Sequence, residues 1–240
     1  MCLNDPLISK CRLSIGSDLL SIGDSFKLVG RIIDLLLYEA GQFPDLVLMQ
    51  KPRSAYEHLR TRKEPASRKA VRFLDSLYEI KCNLISLSVS VSYFLILLGG
   101  VPSHPKRAFL VDCSKSTSST ASVNTCFESV ICHFFRTFMQ DPFSHAAFEE
   151  LKPCRIYFYL CISEVNLPIW FLPRPHFHLS KKCPVHVLQL LTDSCHSMLL
   201  DEHEVDSNLA EVKQALYEHP GGIMWYTSPR TLDGFADCLP

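Results

Sequence analysis

Residues 223–235 read Ile-Met-Trp-Tyr-Thr-Ser-Pro-Arg-Thr-Leu-Asp-Gly-Phe, and no other segment of the chain says more about its fold. Aromatic and β-branched side chains fill the first half, which predicts a strand near the end of the chain. The proline interrupts this strand, because proline has no N–H to donate to a neighbouring strand. Pro220-Gly221-Gly222 separates the strand from the segment before it.

Periodic apolar residues predict further helices and strands on the N-terminal side of this segment. The first helix begins after an N-cap at Asp24 or Ser25 and is stopped by Gly41 and Pro44. The other predicted helices cover about 67–87, 121–140 and 206–218, and the predicted strands cover 93–98, 108–112, 155–163 and 185–191. Residues 1–24 are interpreted as a loosely ordered lead-in and residues 25–240 as a single domain.

The helix predicted at 121–140 is unusual because it carries two apolar stripes. One stripe consists of Phe127, Val130, Ile131, Phe134 and Phe138, and the other consists of Cys132, Phe135 and Met139. A helix that is apolar on two faces is either wholly buried or keeps one face for a partner.

The composition indicates a globular chain without a strong electrostatic field. The net charge is −1, from 24 basic and 25 acidic residues, and 47% of the residues are hydrophobic. Nucleic acid and acidic membrane are therefore not expected as main partners. The basic segment 50–69 is interpreted as a solvated connection, because no aromatic residues alternate with the charges.

The 11 cysteines are odd in number and form no CxxC pair, and no signal-peptide pattern opens the sequence. These features favour a reducing compartment, the cytosol or the nucleus.

Residues 82–105 carry no charged side chain and are long enough on paper to span a bilayer. Serines alternate through the first part of this segment, and Gly99-Gly100 follows its uniformly apolar part, 93–98. This pattern favours a buried strand over a transmembrane helix.

Catalytic and cofactor motifs are sparse in the sequence. Neither GxxxxGK[ST] nor GxSxG occurs, which disfavours a nucleotide-dependent or acyl-transfer enzyme. Four potential zinc ligands lie within eleven residues, but their spacing matches no closed structural zinc site. These residues are His176, His178, Cys183 and His186. We expect no metal and no cofactor, and a zinc- or cysteine-dependent enzyme that uses these four residues is kept as an alternative.

Four motifs, in this order along the chain, resemble motifs of the comet family, the Mad-two-binding adaptors of spindle-checkpoint silencing. They are Leu-Ile-Leu-Leu-Gly-Gly at 95–100, Phe-Phe-Arg-Thr-Phe-Met-Gln-Asp-Pro-Phe-Ser at 134–144, Trp-Phe-x-Pro-Arg at 170–174 and Trp-Tyr-x-x-Pro-x-Thr-x-x-Gly-Phe at 225–235. The resemblance covers residues 25 to about 236, nearly the whole chain.

The resemblance implies an α+β, HORMA-like fold, in which three helices pack on one face of an antiparallel sheet and a C-terminal safety belt covers about 164–240. It also implies a non-enzymatic adaptor in the nucleus and cytoplasm, with association with the spindle or kinetochore. Such an adaptor binds the closed form of Mad-two and presents it to a hexameric AAA+ ATPase. The ATPase opens Mad-two, which disassembles the mitotic checkpoint complex and silences the spindle assembly checkpoint.

The resemblance further assigns the contact residues. The aromatic anchor for Mad-two falls on Phe134 or Phe135, and a second contact falls on Glu39, where the family has glutamine. The contact with the ATPase falls on Pro173-Arg174, where the family has Pro-Lys. Residues 193–219 form a longer segment than the family has there. A different HORMA-type adaptor, with the same fold and another partner, is the alternative within this class.

Overall fold

The structure, a computed structural model, describes residues 8–16, 19–116, 126–141, 148, 151–162, 170–192, 202–218 and 224–236, with the backbone alone for 202–208. The strands are β1 (Ile8–Ser14), β2 (Tyr93–Leu98), β3 (Arg107–Asp112), β4 (Arg155–Ile162), β5 (Leu172–Pro173), β6 (Val185–Leu191), β7 (Met224–Thr227) and β8 (Leu232–Asp233). The α-helices are α1 (Ile22–Glu39), α2 (Leu46–Gln50), α3 (Glu57–Thr61), α4 (Pro65–Ile85), α5 (Phe127–Gln140) and α6 (Glu202–Tyr217), and a 3-10 turn covers Arg53–Tyr56.

All eight strands belong to one sheet, in the order β1-β6-β3-β2-β4-β7-β5, with β8 paired to β4. The prediction of an antiparallel sheet is wrong at one end of it, because β6 runs parallel to both β1 and β3. The remaining pairs are antiparallel. A parallel pair needs a long connection, and more than 70 residues separate β3 from β6, including α5 and β4.

The central strands are buried on both faces. On one face Phe94, Ile96 and Leu98 of β2 pack against α1, α4 and α5. On the other face Leu95 and Leu97 pack in a second apolar cluster. That cluster includes Val212, Ala215 and Leu216 of α6. Burial on both faces explains why β2 is a continuous apolar run and not an alternating one.

The prediction of three packed helices is too low for the described residues, which contain six α-helices. Three of these, α1, α4 and α5, do pack on one face of the sheet. Helix α3 and the 3-10 turn lie within the segment 50–69, which was interpreted as a solvated connection, because Tyr56 and Leu59 are buried in the same core. Helix α2 lies almost wholly before this segment, and its Met49 is buried in the core as well. Helix α6 covers the opposite face.

The N-terminal lead-in also needs correction. Residues 8–14 form β1 in parallel register with β6, and Leu13 is fully buried. The N-cap of α1 is Ser21 and not Asp24 or Ser25, because the Ser21 hydroxyl accepts a hydrogen bond from the Asp24 N–H at 3.1 Å. The Ser21 hydroxyl also donates to the Asp24 carboxylate at 2.8 Å, so the two residues stabilise the first turn together.

The C-terminal segment is fixed to the end of α1 by Gln42, whose side chain is fully buried. Its Oε1 accepts a hydrogen bond from the Cys154 N–H at 2.9 Å, and its backbone carbonyl accepts one from the Phe235 N–H at 2.7 Å. The Gly234 N–H donates to the Cys154 carbonyl at 2.8 Å. The Gly-Phe end of the terminal motif is therefore part of the core.

Among the described residues, no helix combines the length and the apolar character needed to cross a bilayer. The uncharged segment 82–105 is divided instead between the end of α4, the loop after it, and β2.

Candidate partner-docking surface

Helix α5 is held on the sheet by one of its two apolar stripes. Val130, Phe134 and Phe138 are buried. The ring of Phe138 stacks on that of Phe134, with centroids 5.9 Å apart, and meets the ring of Phe148 edge-on at 5.9 Å. These contacts bury the inner face of the helix and leave the other face toward solvent.

Two polar contacts fix α5 beside the edge strand β1. The Thr137 hydroxyl donates to the Ser14 carbonyl at 3.3 Å, and His133 Nε2 lies 3.1 Å from the Ser14 hydroxyl oxygen. At the start of the helix the Lys27 ammonium of α1 lies 5.5 Å from the centroid of the Phe127 ring, a cation–π contact between α1 and α5. The helix is therefore positioned by α1 and β1 together.

The second apolar stripe, Cys132, Phe135 and Met139, is not wholly buried, and we call it the outer stripe. Met139 is 58% exposed, Cys132 is exposed and Phe135 is half-buried. Exposed Arg136 lies between them on the same side of the helix. An amphipathic surface of this kind, apolar in the middle with a charged neighbour, has the composition of a protein-interaction site.

The structure distinguishes the two phenylalanines that sequence analysis could not separate. Phe134 is fully buried in the core, whereas Phe135 belongs to the outer stripe and packs against the core with only part of its ring. A partner that docks on α5 can therefore contact Phe135 directly. Phe134 instead packs in the core and stabilises the helix on the sheet.

Glu39, the other residue assigned to the Mad-two contact, is the last residue of α1 and is half-buried. It lies twelve residues beyond Lys27, which is roughly 18 Å along the helix axis at 1.5 Å per residue. It forms no ion pair with another residue in the described part of the chain.

Pro173 and Arg174, the residues assigned to the ATPase contact, are exposed at the opposite edge of the sheet. Pro173 lies in β5, which pairs with β7, and the Arg174 N–H donates to the Trp225 carbonyl at 2.7 Å. Both residues line a groove of about 650 Å³, together with Tyr159, His104 and His176. The backbone hydrogen bonds hold the Arg174 side chain at the rim of this groove.

The outer stripe and the Pro173-Arg174 pair are far apart. Helix α5 is anchored to β1 and Pro173 lies in β5, and these two strands are the opposite edges of the described sheet. Six inter-strand steps of about 4.8 Å give a separation of roughly 29 Å. Two partners can therefore contact the two surfaces at the same time.

The four candidate zinc ligands do not come together. Cys183 lies in the apolar cluster under α6, whereas the ring of His186 packs against Phe109 on the face covered by α1, α4 and α5, with centroids 5.4 Å apart. Burial raises the pKa of the Cys183 thiol to about 12, so it is protonated near neutral pH. No group of three or more metal-binding side chains occurs within the described residues.

Gln42 and Arg136 were not among the residues predicted from the sequence. Gln42 follows Gly41 after the end of α1, a position that the sequence pattern treats as a loop. The signal for Arg136 was present, because it lies four residues after Cys132 and three before Met139.

No protein-family model matches the chain, and no curated protein matches it significantly.

Proposed function

We propose that this protein is a non-enzymatic adaptor of the HORMA-like, comet type. It binds the closed form of Mad-two through α5 and presents it to an AAA+ ATPase, so promoting disassembly of the mitotic checkpoint complex. The proposal rests on the four-motif resemblance and on one observation, the outer stripe of α5.

The outer stripe is what an adaptor of this type requires. Met139 projects into solvent on a helix that is anchored along its inner face by buried phenylalanines. Because the backbone of the helix is already fixed by the core, docking costs little backbone entropy, and the burial of Met139 has to offset only the lost freedom of its own side chain. Phe135 lies beside it as the aromatic anchor, a residue type enriched at the centre of interfaces.

The position of Pro173 and Arg174 supports the second half of the proposal. An adaptor must contact its client and its remodelling enzyme together, and these two residues are exposed at the sheet edge farthest from α5. Arginine keeps the positive charge of the family's lysine, but its planar fork favours a carboxylate that accepts two hydrogen bonds.

Strand β7 supports a belt-like role for the C-terminal region. It adds to the sheet between β4 and β5, and its Trp225 Nε1–H donates to the Ala215 carbonyl of α6 at 2.9 Å. The C-terminal third thus contributes both an edge of the sheet and the cover of its second face, as expected of a segment that wraps around the domain.

The test is a pull-down of purified Mad-two, locked closed by a bound motif peptide. Wild-type protein is compared with Phe135→Ala and Met139→Glu, and Phe134 is left intact so that the core is undisturbed. Val47→Glu in α2 is the matched control, because Val47 is 61% exposed on a different helix. Circular dichroism checks that every variant is folded.

We expect wild type and Val47→Glu to retain closed Mad-two, and both α5 variants to lose it. Truncation of an interface anchor typically costs about 2–4 kcal/mol of binding free energy, enough to remove capture in a wash. If well-folded wild type captures no closed Mad-two, the comet assignment is wrong. If all variants bind equally, the partner docks elsewhere.

A further inference from the structure

We propose that a second surface, the groove between α4 and residues 230–235, binds a short acidic peptide segment. The groove, which we call the basic groove, is lined on one side by Lys69, Arg72 and Ser76 of α4 and on the other by Arg230 to Phe235. This inference does not depend on the proposed function, because it concerns a different face of the molecule.

The basic groove is two hollows that join end to end. One has a volume of about 460 Å³ and the other about 390 Å³, and Arg72 and Ser76 line both. Together they form a channel along α4 rather than a closed cavity. An extended chain suits this shape better than a compact small molecule does.

The surface around the channel carries more basic than acidic side chains. Residues 51–72 contain eight basic side chains and only two acidic ones, in a chain whose net charge is −1. Several of these basic residues are exposed on the described surface, namely Arg60, Arg62, Lys63, Arg68, Lys69 and Arg72. The channel itself is lined by four basic and three acidic side chains. The excess of positive charge in and around it attracts ligands of the opposite sign.

Two of the three arginines that line the channel are held in ion pairs. Asp75 is paired with both Arg53 and Arg60. Glu79 is paired with Arg230 at 2.9 Å. Arg72, at the junction of the two hollows, forms no ion pair with any residue that the structure describes. Its guanidinium can therefore donate two parallel hydrogen bonds to a ligand carboxylate.

The smaller hollow has an apolar floor that is fixed to the core. Phe73 and Phe235 both pack on Phe43, with ring centroids 4.6 Å and 5.9 Å apart. Gly234 is hydrogen-bonded to Cys154 beneath it. Because the walls are fixed by the core, a ligand meets a preformed site and the protein loses little conformational entropy on binding.

The carboxylates along the rim favour a peptide over a nucleic acid. Asp75, Glu79 and Asp233 all line the channel between the basic residues. A nucleic acid carries a phosphate at every step of its backbone, about 3.4 Å apart along each strand of a duplex, and so places charges against these carboxylates. A peptide with separated acidic residues places each charge beside a cation only.

The basic groove is separate from the outer stripe of α5. Helix α4 packs on β8, which pairs with β4, whereas α5 packs on β1. Strands β6, β3 and β2 lie between β4 and β1 in the sheet. A ligand in the groove and a partner on α5 therefore occupy different surfaces.

The test uses the full chain and a fluorescein-labelled probe peptide, Gly-Glu-Leu-Asp-Glu-Leu-Asp-Glu-Leu-Gly, with binding followed by anisotropy at physiological salt. The control peptide has glutamine and asparagine in place of the acids, and a single-stranded oligonucleotide is the competitor. Arg72→Gln removes the charge at the junction. Arg136→Gln is the matched control, an exposed arginine on α5.

We expect wild type and Arg136→Gln to bind the acidic probe and not the control peptide. Arg72→Gln should weaken the binding about tenfold, as expected for the loss of a charge-assisted hydrogen bond. Absence of binding by wild type, an equal effect of both variants, or displacement of the probe by a lower concentration of oligonucleotide than of unlabelled peptide would overturn the proposal. Arg72→Gln should also bind closed Mad-two as wild type does, which keeps this result distinct from the proposed function.

Discussion

The rings of Phe134 and Phe135 meet edge-on, with centroids 5.6 Å apart and planes inclined by 74°. One ring is fully buried and the other is half-exposed, so the pair connects the core directly to the outer surface of α5. Adjacent residues on a helix point about 100° apart, which allows two neighbours to serve stability and binding separately.

The first prediction separates these two roles. Phe134→Ala removes a fully buried ring from the core and should lower the free energy of unfolding by about 3–5 kcal/mol. Phe135→Ala removes a ring that is already partly in water and should cost much less. Urea denaturation of both variants measures the difference. Equal destabilisation by the two substitutions would show that Phe135 is a core residue as well.

The second prediction concerns the C-terminal segment. A Cβ at Gly234 would lie 2.5 Å from Gln42 Oε1 and 2.8 Å from the Cys154 backbone nitrogen. Backbone atoms cannot move aside as a flexible side chain can, so Gly234→Ala should destabilise the protein by about 1–3 kcal/mol. It should also expose residues after β7 to limited proteolysis. Gly100→Ala is the control, because nothing lies within 4 Å of its added Cβ. A Gly234→Ala variant as stable as Gly100→Ala would refute the described packing.

The third prediction concerns the buried ion pair between α1 and α4. Lys81 Nζ lies 2.9 Å and 3.0 Å from the two carboxylate oxygens of Asp34, and it also donates to the Met49 carbonyl at 2.9 Å. Lys81→Met leaves a fully buried carboxylate without its cation, which should cost about 3–5 kcal/mol at neutral pH. The double variant Asp34→Asn/Lys81→Met should recover part of this loss.

The pH dependence of the Lys81→Met variant provides its internal check. Burial raises the pKa of Asp34, and Lys81 opposes this effect. Without Lys81 the native state binds the proton still more tightly than the unfolded state does. The defect of the variant should therefore shrink as the pH falls and the carboxyl becomes neutral. A defect that is independent of pH would mean that lost packing, and not the buried charge, causes it.

The fourth prediction concerns acid sensitivity. Burial, helped by the charge of Arg107, lowers the pKa of His186 to about 4 from its usual 6.5. Between these two values the unfolded state binds more protons than the native state, so this residue contributes stability above pH 6.5 that is lost as the pH falls toward 4. Melting curves of His186→Gln should show a weaker loss over that window than wild type. His104→Gln, at an exposed position, should behave as wild type, and the same loss in all three proteins would contradict the assignment.

Much of the sheet could be predicted from the sequence, because its central strands are uniformly apolar. The predicted strands at 93–98 and 185–191 coincide with β2 and β6. Strand β1 was missed although Lys10 and Arg12 alternate with the buried Cys11 and Leu13, which is the period-two pattern of a half-buried strand. Its parallel pairing with a strand more than 170 residues away is a long-range contact that no local pattern encodes.

The candidate docking surface was predicted in outline only. The spacing of Cys132, Phe135 and Met139 indicated a second apolar face on the helix. Which phenylalanine faces the core depends on packing against Phe138 and Phe148, contacts that arise only in the folded chain. Similarly, the basic segment 50–69 gave no sign that the 3-10 turn and α3 fold against α4, because the few apolar residues responsible are scattered among charges.

The most direct test of the proposed function is a calorimetric titration of the wild-type chain into Mad-two locked in the closed form and, separately, in the open form. The adaptor assignment predicts saturable binding of one chain per closed Mad-two and no binding to the open form. Absence of heat with closed Mad-two from a folded chain, or equal binding to both forms, would contradict it.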